Sequence, residues 1–365
     1  MIKHIKIKNF KAIRDINIEL SGLNIFTGLN GMGKSTLIQS LLLIRQSAFS
    51  IDREIILNGE YVKLGEYQDV FCEYPTDDEL FQINIQYEDD TFLNIESSYR
   101  TEKKQEKIID VQSYRNSCMY KSIFGTDTFT YLSASRISPS DSYDTNSTSI
   151  GKRNFGIDGK YAPHYYHLNK NNDITIKGLA FDVEDTVFSL ENQLNLWMAV
   201  ISPKVQVLTE QKENFILLRY SYMTQGLNTT PFKPQNAGFG LTYVFSVLVA
   251  ILSSRPGDLL IIENPESHIH PSGQSQLARL LALAAQNGVQ ILIETHSDHI
   301  IYGARIAIKE KDIALENTKI YYFDRDEVEH FSKVSEIVID EFGRMERSVR
   351  KYFDEYESHL NHLMS

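Results

Sequence analysis

The sequence is poor in cysteine, has no long apolar run, shows no heptad pattern and is short of positive charge. Two cysteines, Cys72 and Cys118, stand among 365 residues. Two thiols cannot build a disulfide framework, which points to a reducing compartment. The longest apolar candidate, residues 241–252, falls short of the roughly 18 apolar residues of a membrane span. The opening MIKHIKIKNF has no apolar core of a secretory signal. A cytoplasmic chain without membrane contact is the expectation. No repeat is found, and nothing between residues 48 and 235 has the pattern of a long coiled coil. The net charge is −11, which argues against a general binder of the phosphate backbone. Lys3, Lys6, Lys8, Lys11 and Arg14 cluster near the start, and Arg344, Arg347, Arg350 and Lys351 near the end. DNA contact through such patches stays open, although the net charge does not support it.

Apolar residues make up 42% and charged residues 23%, the balance of a globular chain with material for a real core. Ile5-Lys-Ile7-Lys and Ile16-Asn-Ile18-Glu-Leu20 alternate as half-buried antiparallel strands do. Leu23–Thr27 is a short buried strand, and a helix over 34–47 follows a glycine-rich turn. Residues 81–87 and 91–96 form a hairpin about the turn Glu88-Asp89-Asp90. The polar patch 138–149 looks like a surface loop, 184–201 a helix and 215–220 a strand. From 236 onward, helices over 241–253, 272–286 and 298–309 alternate with buried strands over 258–263, 289–294 and 318–323. That alternation is the grammar of a parallel α/β sheet.

Gly28-Leu-Asn-Gly-Met-Gly33-Lys34-Ser35 fits the P-loop pattern, after a buried strand and before a helix. Its glycines let the backbone turn N–H groups toward phosphate, and the helix adds its positive end. Lys34 would reach the β- and γ-phosphates of ATP and Ser35 would ligate Mg2+. Asn30, Gly31, Gly33 and Thr36 would add backbone or hydroxyl contacts.

A P-loop needs an acid at the end of a neighbouring strand, and Leu259-Leu-Ile-Ile262-Glu263 supplies one for Mg2+. The strand 291–294 leads to His296, placed where open α/β sheets bind ligands and able to hydrogen-bond a γ-phosphate. Asp298 is either a site residue or the N-cap of the next helix. His268, His270, His296 and His299 also invite a metal-site reading, but without cysteine the pattern is weak. Gly238 and Gly240 open a helix before the acidic strand, and a bare helix start suits an anion.

In this order the P-loop, the glycine-rich helix start, ENPESHIHPSGQ and ETHSDHI resemble the ABC-type ATPase heads of the RecF, SMC and OLD group. IKNFKAIRD, LNGEYVKLGEYQDV, YLSASRISP and GKYAPHY extend the resemblance, which looks closest to defence-associated bacterial AAA-family ATPases. It implies an α/β P-loop fold with a mixed sheet, N-terminal antiparallel strands and an inserted compact lobe in place of a long coiled coil. The ATPase core would comprise 1–50 and 230–330, the antiparallel subdomain and lobe 51–229, and a short helical segment 331–365. Such heads form an ATP-sandwiched homodimer, with a higher oligomer open. Lys34, Ser35 and Glu263 would hold ATP and Mg2+ in one copy. Gly238 and Gly240 would meet the γ-phosphate of the other copy, His296 would be the switch histidine, and Gln68 the glutamine that follows the first helix.

Two departures bear on activity. About 65 residues follow His296, too few for a nuclease domain, so none is expected. Asn264 stands where most such heads keep a catalytic glutamate, and an amide cannot take a proton. Glu266, two residues on, is the candidate replacement, with slow hydrolysis expected. Ser135, Arg136 and Ser138 are candidates to line the nucleotide or dimer interface, with a structural ion pair the alternative for Arg136. The resemblance implies an ATPase acting with a nearby-encoded effector in phage defence. An ATP-gated scaffold and a RecF-like repair ATPase are the alternatives.

Overall fold

The computed structural model of the chain describes residues 1–98, 105–117, 124, 127–151, 153–182, 184, 186–224 and 226–345. The chain divides into two compact units, Met1–Lys121 with Arg305–Ser365, and Ser122–Ala304.

The first unit contains a five-stranded antiparallel sheet, ordered Ile13–Glu19, Ile2–Phe10, Leu80–Tyr87, Phe92–Ser98, Ser113–Asn116. Period-two alternation in the sequence sets its register. Ile5 and Ile7 stand opposite Ile18 and Ile16 on one side and Ile85 and Ile83 on the other, and all are buried. Each buried isoleucine is worth roughly 1.5–3 kcal/mol over an exposed one. A one-residue slip would turn this stripe toward solvent, so the register is strongly specified.

In the same unit Leu23–Gly28 runs parallel to Thr318–Arg325, which pairs antiparallel with Ser332–Glu336. The helix Lys34–Gln46 follows Leu23–Gly28 and buries Leu37, Ile38, Leu41, Leu42, Leu43 and Ile44. The segment expected to be helical over 331–365 opens instead with the strand Ser332–Glu336. Its continuation from 346, including the matched stretch around Tyr352, lies outside the described residues.

In the second unit Phe129–Leu132, Leu259–Glu263 and Gln290–Glu294 form parallel neighbours with Leu259–Glu263 in the middle. Glu263 stands in register with Glu294. Leu259–Glu263, the helix Pro271–Gln286 and Gln290–Glu294 make a strand-helix-strand unit, entered from the helix Gly238–Leu252. The strands read as unbroken apolar runs because both faces are covered. Four further strands, Tyr143–Asp144, Phe215–Thr224, Val205–Lys212 and Leu227–Asn228, form an antiparallel sheet. The helices Ala162–Asn169 and Leu190–Ile201 belong to this unit too.

Local expectations shift in two places. The helix read over 184–201 begins only at Leu190, because Ser189 caps it by accepting the Asn192 N–H at 3.3 Å. The polar patch 138–149 is not all loop: Tyr143 is buried and pairs with Ile216, and a helix spans Ser147–Gly151. Among the described residues the longest helix has 16 residues, and none is long and apolar enough to cross a membrane.

Candidate nucleotide-binding site

The phosphate loop of the first unit is built on glycine for two different reasons. Gly28, Gly31 and Gly33 have φ of +131°, +78° and +102°, the left-handed region that only glycine enters freely. A Cβ on Gly28 would lie 2.2 Å from the Phe323 carbonyl oxygen, and one on Gly33 would lie 2.1 Å from Ser332 Oγ. Neighbouring chain therefore excludes any side chain there. Gly31 faces open space, so its backbone is bare to a ligand. The following helix has no side-chain cap at Gly33, which leaves its first N–H groups for an anion. Lys34 is 3% exposed, and its Nζ donates to the carbonyls of Gly28 and Leu29, each at 2.7 Å. Asn30 and Ser35 are exposed and Thr36 is buried. An open glycine cradle, an uncapped helix start and an adjacent lysine fit a nucleotide's phosphates. Gln68 lies in the same unit on the short helix Tyr67–Val70, where its amide donates to Glu66 at 3.3 Å.

The acidic strand end belongs to the second unit. Glu263 Oε1 accepts the Tyr131 hydroxyl at 3.0 Å and Oε2 accepts the Ala134 N–H at 3.0 Å. Burial, with Glu263 beside it, holds the Tyr131 phenol well above its ordinary range, so it stays a donor. An ionised carboxylate has about four lone-pair sites, and two accepted bonds leave room for a hard cation such as Mg2+.

Beyond Glu263 the chain turns sharply. Asn264 takes φ +43°, and its N–H continues the ladder to the Glu294 carbonyl at 2.7 Å. Asparagine tolerates this left-handed conformation better than most residues. The turn brings Glu266 inside, where it is 9% exposed. Its Oε1 accepts the His296 N–H at 3.1 Å, while Oε2 is buried without a hydrogen-bond partner, as is Asn264 Oδ1. Orphaned buried acceptors are rare and call for an explanation such as an absent water, ion or ligand.

Arg136 is the residue the sequence placed least well. It is 4% exposed, lines no open surface and forms no ion pair. Its guanidinium donates to backbone carbonyls: Ser133 at 3.0 Å, Glu263 at 2.7 Å, and Asn264. Burial brings the guanidinium down to about 10, opposed chiefly by Glu266, so it remains charged at neutral pH. Ser135 and Ser138 are exposed. Tyr131, Ala134 and this role for Arg136 had no signal in the sequence, because Phe129–Leu132 finds its strand partner about 130 residues away.

The helix Gly238–Leu252 starts at Gly238, which has φ +62° and open space at its Cβ position. Gly240 is held to glycine by the His268 carbonyl oxygen, 2.3 Å from where a Cβ would lie. The His268 ring packs against Phe239 and Tyr243 at centroid distances of 5.9 and 5.0 Å. His270 caps the helix Pro271–Gln286 by accepting the Ser272 N–H at 3.4 Å. Ser297, rather than Asp298, caps the helix Asp298–Lys309, with its Oγ accepting the His299 and Ile300 N–H groups at 3.1 and 3.3 Å. His296 is exposed. Among the described residues no group of three or more His, Cys, Asp or Glu side chains is placed to hold a metal ion.

Comparison with known proteins adds to this geometry. Two solved structures share the fold. One is an Smc head bound to the C-terminal winged-helix domain of ScpA, 13% identical, with a TM-score of 0.54, covering 93% of this chain and 98% of that one. The other is a Pyrococcus furiosus Smc head with an extended coiled coil, bound to the C-terminal domain of ScpA. It is 12% identical, with a TM-score of 0.52, covering 98% of this chain and 99% of that one. A comparison with curated proteins finds no match. At these identities the two structures speak for the fold, an ABC-type head of the SMC kind. The family model described as "AAA domain, putative AbiEii toxin, Type IV TA system" matches residues 23–302, well over half of the sequence, and the chain belongs to that family of AAA-domain ATPases.

Proposed function

We propose that this chain binds ATP with Mg2+ and hydrolyses it slowly. It would dimerise around the nucleotide and act as the switch of a bacterial anti-phage defence system with a partner effector. Hydrolysis rests on one observation above the others: Glu266 is a buried carboxylate with one oxygen held by the His296 N–H and the other without a partner. Such a group can accept a proton, which Asn264 cannot.

Lys34 would hold the β- and γ-phosphates, with Asn30, Gly31, Gly33 and Thr36 supplying backbone and hydroxyl contacts. Ser35 and Glu263 offer a hydroxyl and a carboxylate, the hard oxygen donors that suit Mg2+. When bound, the ion would neutralise charge developing on the phosphoryl oxygens. Gly238 and Gly240 would meet the γ-phosphate held by a second copy, and His296 would register its loss. Gln68 is carried by the resemblance alone. The family's description names a toxin and a toxin–antitoxin system, and both similar Smc heads were solved with a bound ScpA domain. Those descriptions support an effector partner for this chain.

An ATP-gated scaffold is the second reading, and Asn264 favours it. Steady-state turnover with and without DNA decides between them. Rates under roughly one per hour throughout, far below the 1–10³ s⁻¹ usual for enzymes, would favour the scaffold. Light-scattering mass with Mg–ATP tests the dimer, which Lys34→Ala should abolish. Phage challenge of cells carrying the chain with its neighbouring genes, wild type against Lys34→Ala, tests defence. Equal protection by both would sink that role.

A further inference from the structure

The buried cation at the acidic strand end has no carboxylate partner. Arg136 spends its hydrogen bonds on the carbonyls of Ser133, Glu263 and Asn264, and its Nε is buried without a partner. Burying a charge that forms no ion pair is costly, and structural stability alone is better served by an apolar residue of similar volume. The position of the charge is therefore informative. It grips the two carbonyls that flank the left-handed turn at Asn264, directly upstream of Pro265 and Glu266. It also lies over the ring of Tyr243, 5.9 Å from the centroid, on the helix opened by Gly238 and Gly240. Tyr243 in turn packs against His268, just past Glu266.

We propose that Arg136 is a positioning residue for hydrolysis: by clamping the Glu263 and Asn264 carbonyls it holds the turn that aims the Glu266 carboxylate, and through Tyr243 it ties that turn to the glycine-rich helix start. The proposal rests on the ATPase reading above. Three features make arginine the residue for this task. Its planar fork donates to several acceptors at once, its charge remains at neutral pH, and it favours the nearby ionised Glu266 and Glu263. Lysine would restore the charge without the fork. Glutamine would keep some donors without the charge. A turn left unclamped lets the carboxylate drift, and a displacement of about 1 Å is enough to lower turnover on the order of 100-fold.

The experiment uses the full chain as wild type, Arg136→Lys and Arg136→Gln. It measures ATP turnover, binding of a fluorescent ATP analogue with Mg2+, and the thermal midpoint. Arg136→Gln is expected to lower kcat on the order of 100-fold with analogue affinity retained, and Arg136→Lys to recover part of the loss. Arg136→Lys also keeps the test decisive if the glutamine variant fails to fold. Either variant turning over at the wild-type rate overturns the proposal. So does a loss of turnover that only tracks loss of folding and binding, which would make Arg136 structural. A wild-type chain that hydrolyses no ATP refutes the ATPase reading instead, a distinct outcome.

Discussion

The phenol of Tyr131 donates a hydrogen bond across 3.0 Å to Oε1 of Glu263, from the neighbouring parallel strand. The Ala134 N–H takes the other oxygen, so the carboxylate is held at both ends. Partners of this kind orient a metal ligand and commonly change metal affinity 10–100-fold. Tyr131→Phe removes one donor and keeps the ring. Its expected effect is roughly a 10-fold rise in the Mg2+ concentration that half-saturates ATP turnover. Binding of nucleotide without Mg2+ should not change. An unaltered Mg2+ dependence would show that Ala134 alone suffices.

Glu266→Gln isolates proton acceptance. Glutamine can still receive the His296 N–H but cannot act as a base. Turnover should fall about 100-fold while nucleotide binding persists, within the range for loss of a general base. The converse variant, Asn264→Glu, restores an acid at the usual place. It should raise turnover yet destabilise the fold by about 1 kcal/mol, because glutamate enters the left-handed region less readily than asparagine. Turnover unchanged in Glu266→Gln would remove Glu266 from the chemistry.

Part of this site was legible from sequence because its constraints are local. A loop that must turn through positive φ and expose bare backbone needs glycine within a few residues, so Gly28, Gly31 and Gly33 stood out. Alternating isoleucines announced the N-terminal strands, and unbroken apolar runs announced Leu259–Glu263 and Gln290–Glu294. What escaped was non-local. Phe129–Leu132 is too short and ordinary to reveal that it flanks the acidic strand. Arg136 sits in a polar stretch, where a charge belongs at the surface. Only the carbonyls of Glu263 and Asn264, some 127 residues on, account for its burial. Asp298 was misjudged as a possible cap because Ser297, one residue earlier, offers the shorter hydroxyl reach.

The parallel pair beside the phosphate loop sets a steric limit that can be measured. Gly28 stands opposite Phe323, with no room for a methyl group and a φ that strains any other residue. Gly28→Ala must displace the backbone of Thr318–Arg325 as well as bear left-handed strain of order 1–3 kcal/mol. Gly31→Ala bears similar strain but meets nothing within 4 Å. Urea denaturation should therefore rank Gly28→Ala as clearly the less stable of the two. Equal midpoints would mean that the strand pair yields easily at Phe323.

A surface ion network in the first unit should give stability a defined pH dependence. Lys319 Nζ lies 3.1 Å from Glu19 and 2.9 Å from Glu336, on three different strands. The hydrogen bond from Lys319 pulls the Glu19 carboxyl below its ordinary value. Burial pulls Lys319 down, but its bonds to Glu336 and Glu19 outweigh this and leave it raised. A carboxyl lowered on folding contributes stability above its unfolded value and loses it as pH falls through the folded one. A lysine raised on folding contributes below its unfolded value and loses that as pH rises through the folded one. Both contributions are present at neutral pH. Since Glu19 and Glu336 are 47% and 41% exposed, solvent screening limits the network to at most about 1 kcal/mol. Lys319→Met should therefore destabilise the chain at pH 7 by a fraction of that amount and progressively less below about pH 4, the ordinary carboxylate range. The same gap should narrow in concentrated salt. A difference between wild type and Lys319→Met that is constant across acid and neutral pH would mean that lost packing of the lysine stem, not charge, sets the effect.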